Sequence, residues 1–116
     1  MKTFADFKRK LKENVGKEIT VKNLLFENAK KHYRGNKTVR TVSKVQTNGF
    51  YTDFIDPNTK ETRHIWLDFP KASTVNVKEN SVEFLTHEVE LSNGEKVVYP
   101  EYNLPLGVPW LVIEFV

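Results

Sequence analysis

Eight side chains with the chemistry to hold a polyanion crowd the stretch 30–44: Lys30, Lys31, His32, Tyr33, Arg34, Lys37, Arg40 and Lys44. Cations release counterions from a phosphate backbone, and an aromatic ring among them offers a base a surface to stack on, a combination used in sequence-tolerant binding of single strands. Arg40 and Lys44 are an even number of residues apart, so on a regular strand both project from one face with Val42 between them. The candidate nucleic-acid-binding residues are Lys30, Lys31, Tyr33, Arg34, Lys37, Arg40 and Lys44. The plain alternative is a solvated face that keeps a small domain soluble.

The wider charge pattern favours an interaction surface. Residues 1–45 hold thirteen Lys/Arg against four Asp/Glu, while residues 46–116 hold five against eleven, so a net charge of +3 conceals halves of +9 and −6. Such a split points to an anionic partner, either nucleic acid or an acidic protein of a host cell.

Other chemistries find no support in the residue spacing. His32, His64 and His87 share no metal-ligand spacing, there is no cysteine, and no metal or other cofactor is expected. Glu88 and Glu90, with Asp53, Asp56 and Asp68, fit solvated strand faces and turns better than a convergent acid pair. Ser43, Ser73, Ser81 and Ser92 lack a nucleophile context, and five glycines form no phosphate loop. The expectation is a non-catalytic protein. A small metal-free ribonuclease using His32, Tyr33 and Arg34 has suitable residue types and no spacing in its favour. His64 and Trp66 share a strand face opposite Ile65, Leu67 and Phe69; that face is either an exposed aromatic contact site or is covered by a helix.

These residues need elements to position them. A chain of 116 residues, 39% hydrophobic and 28% charged with eight Phe, four Tyr and two Trp, has the composition of one folded domain spanning 1–116. Thr3 and Asp6 form a capping signal for a helix over 4–14. Phe4, Phe7, Leu11 and Val15 make its apolar stripe, and Gly16 ends it. Lys8, Arg9, Lys10 and Lys12 occupy its other side, as a solvated face or an extension of the basic patch. Membrane binding would need a wider stripe.

Beyond Gly16 the period changes to two, which predicts strands over 19–22, 39–46, 50–55, 64–69, 74–78, 82–85, 88–91, 96–99 and 110–115. Asn48-Gly49 and Asn93-Gly94 are hairpin dipeptides in which both residues tolerate positive φ, and Asp56-Pro57-Asn58 is also turn chemistry. Residues 24–34 read as a strand running into a basic loop, with a second short helix as the alternative, and 99–109, with three prolines, as an irregular connection. The expected fold is α+β, an N-terminal amphipathic helix packed on a strongly bent antiparallel sheet or small barrel. The charged start and the lack of any membrane-length apolar run predict a cytoplasmic protein with no membrane partner.

The run Thr38-Val39-Arg40-Thr41-Val42-Ser43-Lys44-Val45-Gln46-Thr47-Asn48-Gly49-Phe50, followed by Trp66-Leu67-Asp68-Phe69-Pro70-Lys71-Ala72-Ser73, resembles small accessory proteins of phages and other mobile elements of Gram-positive bacteria. The resemblance implies an accessory role in a mobile element and assigns no residue a function. Taken together, these patterns predict a nucleic-acid-binding module, with inhibition of a host defence protein as the alternative. The apolar strand 110–115 is expected to be central and buried. At an edge it would instead allow pairing with a second copy as a homodimer.

Overall fold

The computed structural model describes residues 3–24, 37–100 and 104–115. Its single described helix, α1 (Phe4–Glu13), begins where the sequence signals it: the Thr3 hydroxyl accepts from the Asp6 N–H at 3.2 Å, and the Asp6 carboxylate accepts from the Thr3 N–H at 3.2 Å. Asn14 closes the helix and Gly16, at φ +86°, takes the left-handed conformation that turns the chain away. Phe7 and Leu11 are fully buried and Phe4 packs beside them. Val15, expected on the same stripe, lies beyond the helix end and is 47% exposed.

The strands are β1 (Glu18–Asn23), β2 (Lys37–Val45), β3 (Gly49–Ile55), β4 (Thr62–Asp68), β5 (Val75–Val77), β6 (Ser81–Leu85), β7 (His87–Glu90), β8 (Lys96–Tyr99) and β9 (Pro109–Phe115). Seven of them form one sheet in the order β4-β3-β2-β1-β9-β6-β5, antiparallel throughout, and β7–β8 form a separate hairpin. The fold is α+β. The barrel alternative is not realised, because β4 and β5 are the two edges of the sheet and do not pair with each other. Thr74, expected to begin the strand, instead ends a 3-10 turn over Ala72–Thr74 in which its N–H and hydroxyl both donate to the Lys71 carbonyl, at 2.9 and 2.7 Å. The expected strand and loop over 24–34 lies, from residue 25 on, outside the described residues.

One face of the large sheet, the inner face, carries the core. Ile19, Val21, Val42, Phe50, Val82, Phe84, Leu111, Ile113 and Phe115 close over Phe7 and Leu11. Phe7 is the hub: its ring centroid lies 5.8–6.4 Å from those of Phe4, Phe50, Phe69, Phe84 and Phe115. Burying each such side chain contributes about 1.5–3 kcal/mol, so the helix is held by side chains from both halves of the sheet. The C-terminal strand is central, as expected: β9 runs between β1 and β6. Both of its backbone edges are therefore occupied, which corrects the alternative of a homodimer formed through that strand.

Candidate nucleic-acid interface

Of the residues expected to bind nucleic acid, Lys30, Lys31, Tyr33 and Arg34 lie outside the described residues, as does His32. Lys37 opens β2 opposite Lys22. Arg40 and Lys44 do not share a face. The β2–β3 register slips between Val42 and Lys44, so Ser43 is an extra residue in a β-bulge. Arg40 pairs with Ile19 in the ladder and takes the inner face, where its guanidinium stands 5.5 Å from the Phe54 ring and its Nε donates to Thr38 Oγ1 at 2.9 Å. Lys44 pairs with Tyr51 on the outer face and is exposed. The bulge falls where the turn after α1 bonds to β2: Gly16 N–H donates to the Val42 carbonyl at 2.7 Å, and Val42 N–H to Lys17 at 3.1 Å. The even-spacing rule fails at that point because it assumes an unbroken pleat.

Tyr51 and Trp66, neighbours across β3 and β4, form an aromatic pair on the outer face with ring centroids 4.8 Å apart and planes inclined by 59°. Tyr51 is 38% exposed. The face shared by His64 and Trp66 is thus the one away from the helix. Trp66 Nε1 donates to Asp68 Oδ1 at 2.6 Å, which fixes the indole. His64 Nδ1 lies 2.6 Å from Asp53 Oδ1, so these two side chains of the same face are already paired.

Gly49 makes this arrangement possible, and for a different reason from the one its hairpin context suggests. Gln46 N–H donates to the Gly49 carbonyl at 2.8 Å, so the turn is Thr47-Asn48 and Gly49 is already in β3, with φ outside the left-handed region. A Cβ there would meet Trp66 Cζ2 at 2.6 Å and the Leu67 carbonyl oxygen at 2.3 Å. The glycine provides space for the indole. Asn93-Gly94 does follow the expected turn chemistry, with Gly94 at φ +86°.

The tip of the β2–β3 hairpin links two concavities. A groove of about 400 Å³ runs between it and α1, bordered by Lys8, Arg9 and Lys12 on the helix and by Val45, Gln46, Thr47 and Phe69 opposite. A shallower depression of about 410 Å³ is lined by Gln46, Thr47, Asn48 and Trp66. Because Gln46 and Thr47 border both, the cationic side of α1 continues into the Tyr51–Trp66 surface. Arg9 is paired with Asp6, and Lys8 sits over the Phe4 ring at 5.1 Å. Lys12 and Lys44 have no acidic partner among the described residues. Lys8, Arg9 and Lys12 thus border a groove at the hairpin tip. Composition gave no means of placing them near two aromatic residues about 40 to 60 positions away.

Elsewhere, the Asp56 carboxyl is held below its ordinary range by the Asn58 N–H and then by Arg63, whose Nε donates to it at 3.0 Å. This carboxylate belongs to the β3–β4 turn. Among the described residues no cluster of three or more His, Asp or Glu could hold a metal ion. No described helix is long and apolar enough to cross a membrane. Comparison with known protein families, curated proteins and solved structures finds no match to this chain.

Proposed function

We propose that the protein binds single-stranded nucleic acid without reading its sequence, along the surface that runs from Tyr51 and Trp66 past the hairpin tip to the lysines of α1. The observation that carries this reading is the outer-face Tyr51–Trp66 pair, Tyr51 exposed and Trp66 half-buried, with Lys44 beside it and a groove bordered by Lys8 and Lys12 next to it. Bases stack on the rings and phosphates meet the cations, which is the division of labour of a sequence-tolerant strand-binding groove. The sheet is read here as curled around the helix: Phe7 lies within 6.4 Å of rings on both β3 and β6, four strand steps apart, a span of about 19 Å in a flat sheet. Curling makes the outer face convex and brings its rings forward. Such an activity suits the accessory role in a mobile element that the sequence resemblance implies.

Quenching of tryptophan fluorescence by an oligothymidine or oligouridine, repeated over a range of salt, tests the proposal. The three available cations among the described residues, Lys8, Lys12 and Lys44, contribute about −2 to the slope of log affinity against log salt at about 0.7 per contact. Trp66→Ala is expected to weaken binding by about 1–3 kcal/mol at every salt concentration. Lys8→Ala with Lys12→Ala is expected to flatten the slope by about 1.4. No binding at low salt refutes the proposal.

A second reading, an interaction with an acidic host protein, rests on the other end of the outer face, where Val39 and Ile55 are 52% and 67% exposed. Binding that survives Trp66→Ala and is lost in Val39→Asp with Ile55→Asp would favour it.

A further inference from the structure

We propose that the cleft between the β4–β5 connection and the β7–β8 hairpin is a nucleotide-binding site, with the base held against an aromatic wall and the phosphate at Lys71. The cleft, about 380 Å³, brings Asp68 and Lys71 opposite Phe84, His87, Tyr99 and Trp110. It falls at the small end of the ~300–1,000 Å³ range of ligand pockets. Its wall is a chain of rings, with centroids 5.4 Å apart for His87–Tyr99, 6.0 Å for Tyr99–Trp110 and 6.1 Å for Trp110–Phe84. Tyr99, although part of this chain, is 49% exposed, which leaves ring surface for a further planar group.

The polar groups narrow the ligand class. Trp110 Nε1 is buried with no acceptor among the described residues, an uncommon condition for a buried donor, and a ring nitrogen or carbonyl of a base that reaches the indole would supply one. Asp68 already accepts from the Trp66 indole, whereas Lys71 is exposed and has no acidic partner among the described residues. The lining thus offers a carboxylate, Asp68, held by the indole at one point, and a cation, Lys71, available to an anion. A planar heterocycle rich in acceptors with an anionic tail fits the ring wall and Lys71, and that is a nucleotide; an alkylammonium ion, which would use the rings with Asp68, is its rival. Apart from β4, which both share, the cleft is lined by other elements than the outer surface, so the inference goes beyond the strand-binding reading. Trp66 borders both concavities, so the nucleotide is either free or one base of a bound strand.

Titration of the full chain with adenosine 5′-monophosphate, uridine 5′-monophosphate, adenosine and inorganic phosphate, read by tryptophan fluorescence and saturation-transfer NMR, tests the site. The monophosphates are expected to bind and inorganic phosphate to leave the fluorescence unchanged. Tyr99→Leu is expected to weaken the monophosphates about tenfold or more, as loss of one stacked base does. Lys71→Ala is expected to weaken the monophosphates and leave adenosine unaffected. Lys8→Ala with Lys12→Ala should change none of these, which separates failure here from failure of the outer surface. Both cleft substitutions are at exposed positions and should retain the wild-type unfolding midpoint. If only oligonucleotides bind, and Tyr99→Leu weakens them, the cleft takes a base of a bound strand. Tetramethylammonium binding in place of nucleotide overturns the proposal. So does an absence of response to millimolar monophosphate together with an oligonucleotide affinity that Tyr99→Leu leaves unchanged.

Discussion

Gly49→Ala is the smallest substitution expected to damage fold and surface together. The added Cβ would stand 2.3 Å from the Leu67 carbonyl oxygen and 2.6 Å from Trp66 Cζ2. Ordinary contacts of these kinds are about 3.3–3.8 Å, so β4 must retreat by roughly 1 Å and the indole must leave its place. The indole can rotate, but the Leu67 carbonyl is backbone in a strand paired with β3 over seven residues, from Gly49↔Asp68 to Ile55↔Thr62. Overpacking of this kind costs about 1–3 kcal/mol, and a rigid obstacle puts it at the upper end. Loss of the bond from Phe69 N–H to the Asn48 carbonyl, 2.8 Å long and next along the same ladder, adds about 1 kcal/mol. The expected total of about 3–4 kcal/mol, at a urea dependence near 1.5 kcal/mol/M, lowers the unfolding midpoint by about 2 M. Under conditions where the variant remains folded, it should also bind oligonucleotides as weakly as Trp66→Ala. A midpoint within about 0.3 M of wild type would show that β4 and Trp66 are not packed against Gly49 as described.

Phe7→Ala removes the hub of the core and is expected to cost about 3–5 kcal/mol, whereas Lys10→Ala, which removes a half-buried side chain whose ammonium stands 5.3 Å from the Phe115 ring, should cost about 1 kcal/mol or less; equal shifts in chemical denaturation would show that the helix is docked by another face. Asp56→Asn tests the β3–β4 turn. A carboxyl held below its ordinary range stabilises the fold at pH values above its unfolded pKa and ceases to do so as pH falls through its folded value. The stability gap between wild type and this variant, measured by thermal melts, should therefore narrow below about pH 4, and a constant gap would refute the assignment.

Most of the elements were legible because their signals are local. Thr3, Asp6 and Gly16 bracket α1 through bonds and a dihedral within a few residues, and alternating hydrophobics mark the strands. The central place of β9 could be read from its apolar character on both faces. The site was less legible, because it depends on register. One extra residue at Ser43 sends Arg40 inward and Lys44 outward, and nothing in the Val42-Ser43-Lys44 sequence announces a bulge. The Tyr51–Trp66 pair depends on cross-strand alignment, which the turn length determines. An Asn-Gly dipeptide centred on the turn would align Tyr51 differently from the Thr47-Asn48 turn that forms. The usable signal was Gly49 itself, since a glycine inside a strand often marks close approach by a neighbouring group.

The charge split that dominates the sequence also changes meaning in three dimensions. Counted along the chain, the basic half holds thirteen cations, yet α1, β1 and β2 distribute the described ones over different faces. Lys22 is tied to Glu114 of β9, Arg9 to Asp6, and Arg40 stands on the inner face over Phe54. The acidic half therefore enters the same sheet as the basic half and neutralises part of it. Among the described residues the cations left beside the aromatic surface are Lys8, Lys12 and Lys44, and these three alone are too few to hold a polyanion by charge at physiological salt, where non-specific binding already weakens steeply. On the proposed reading, affinity on this surface must come in large part from stacking on Tyr51 and Trp66. That requirement favours single strands over duplexes, because only unpaired bases can turn their faces to the rings.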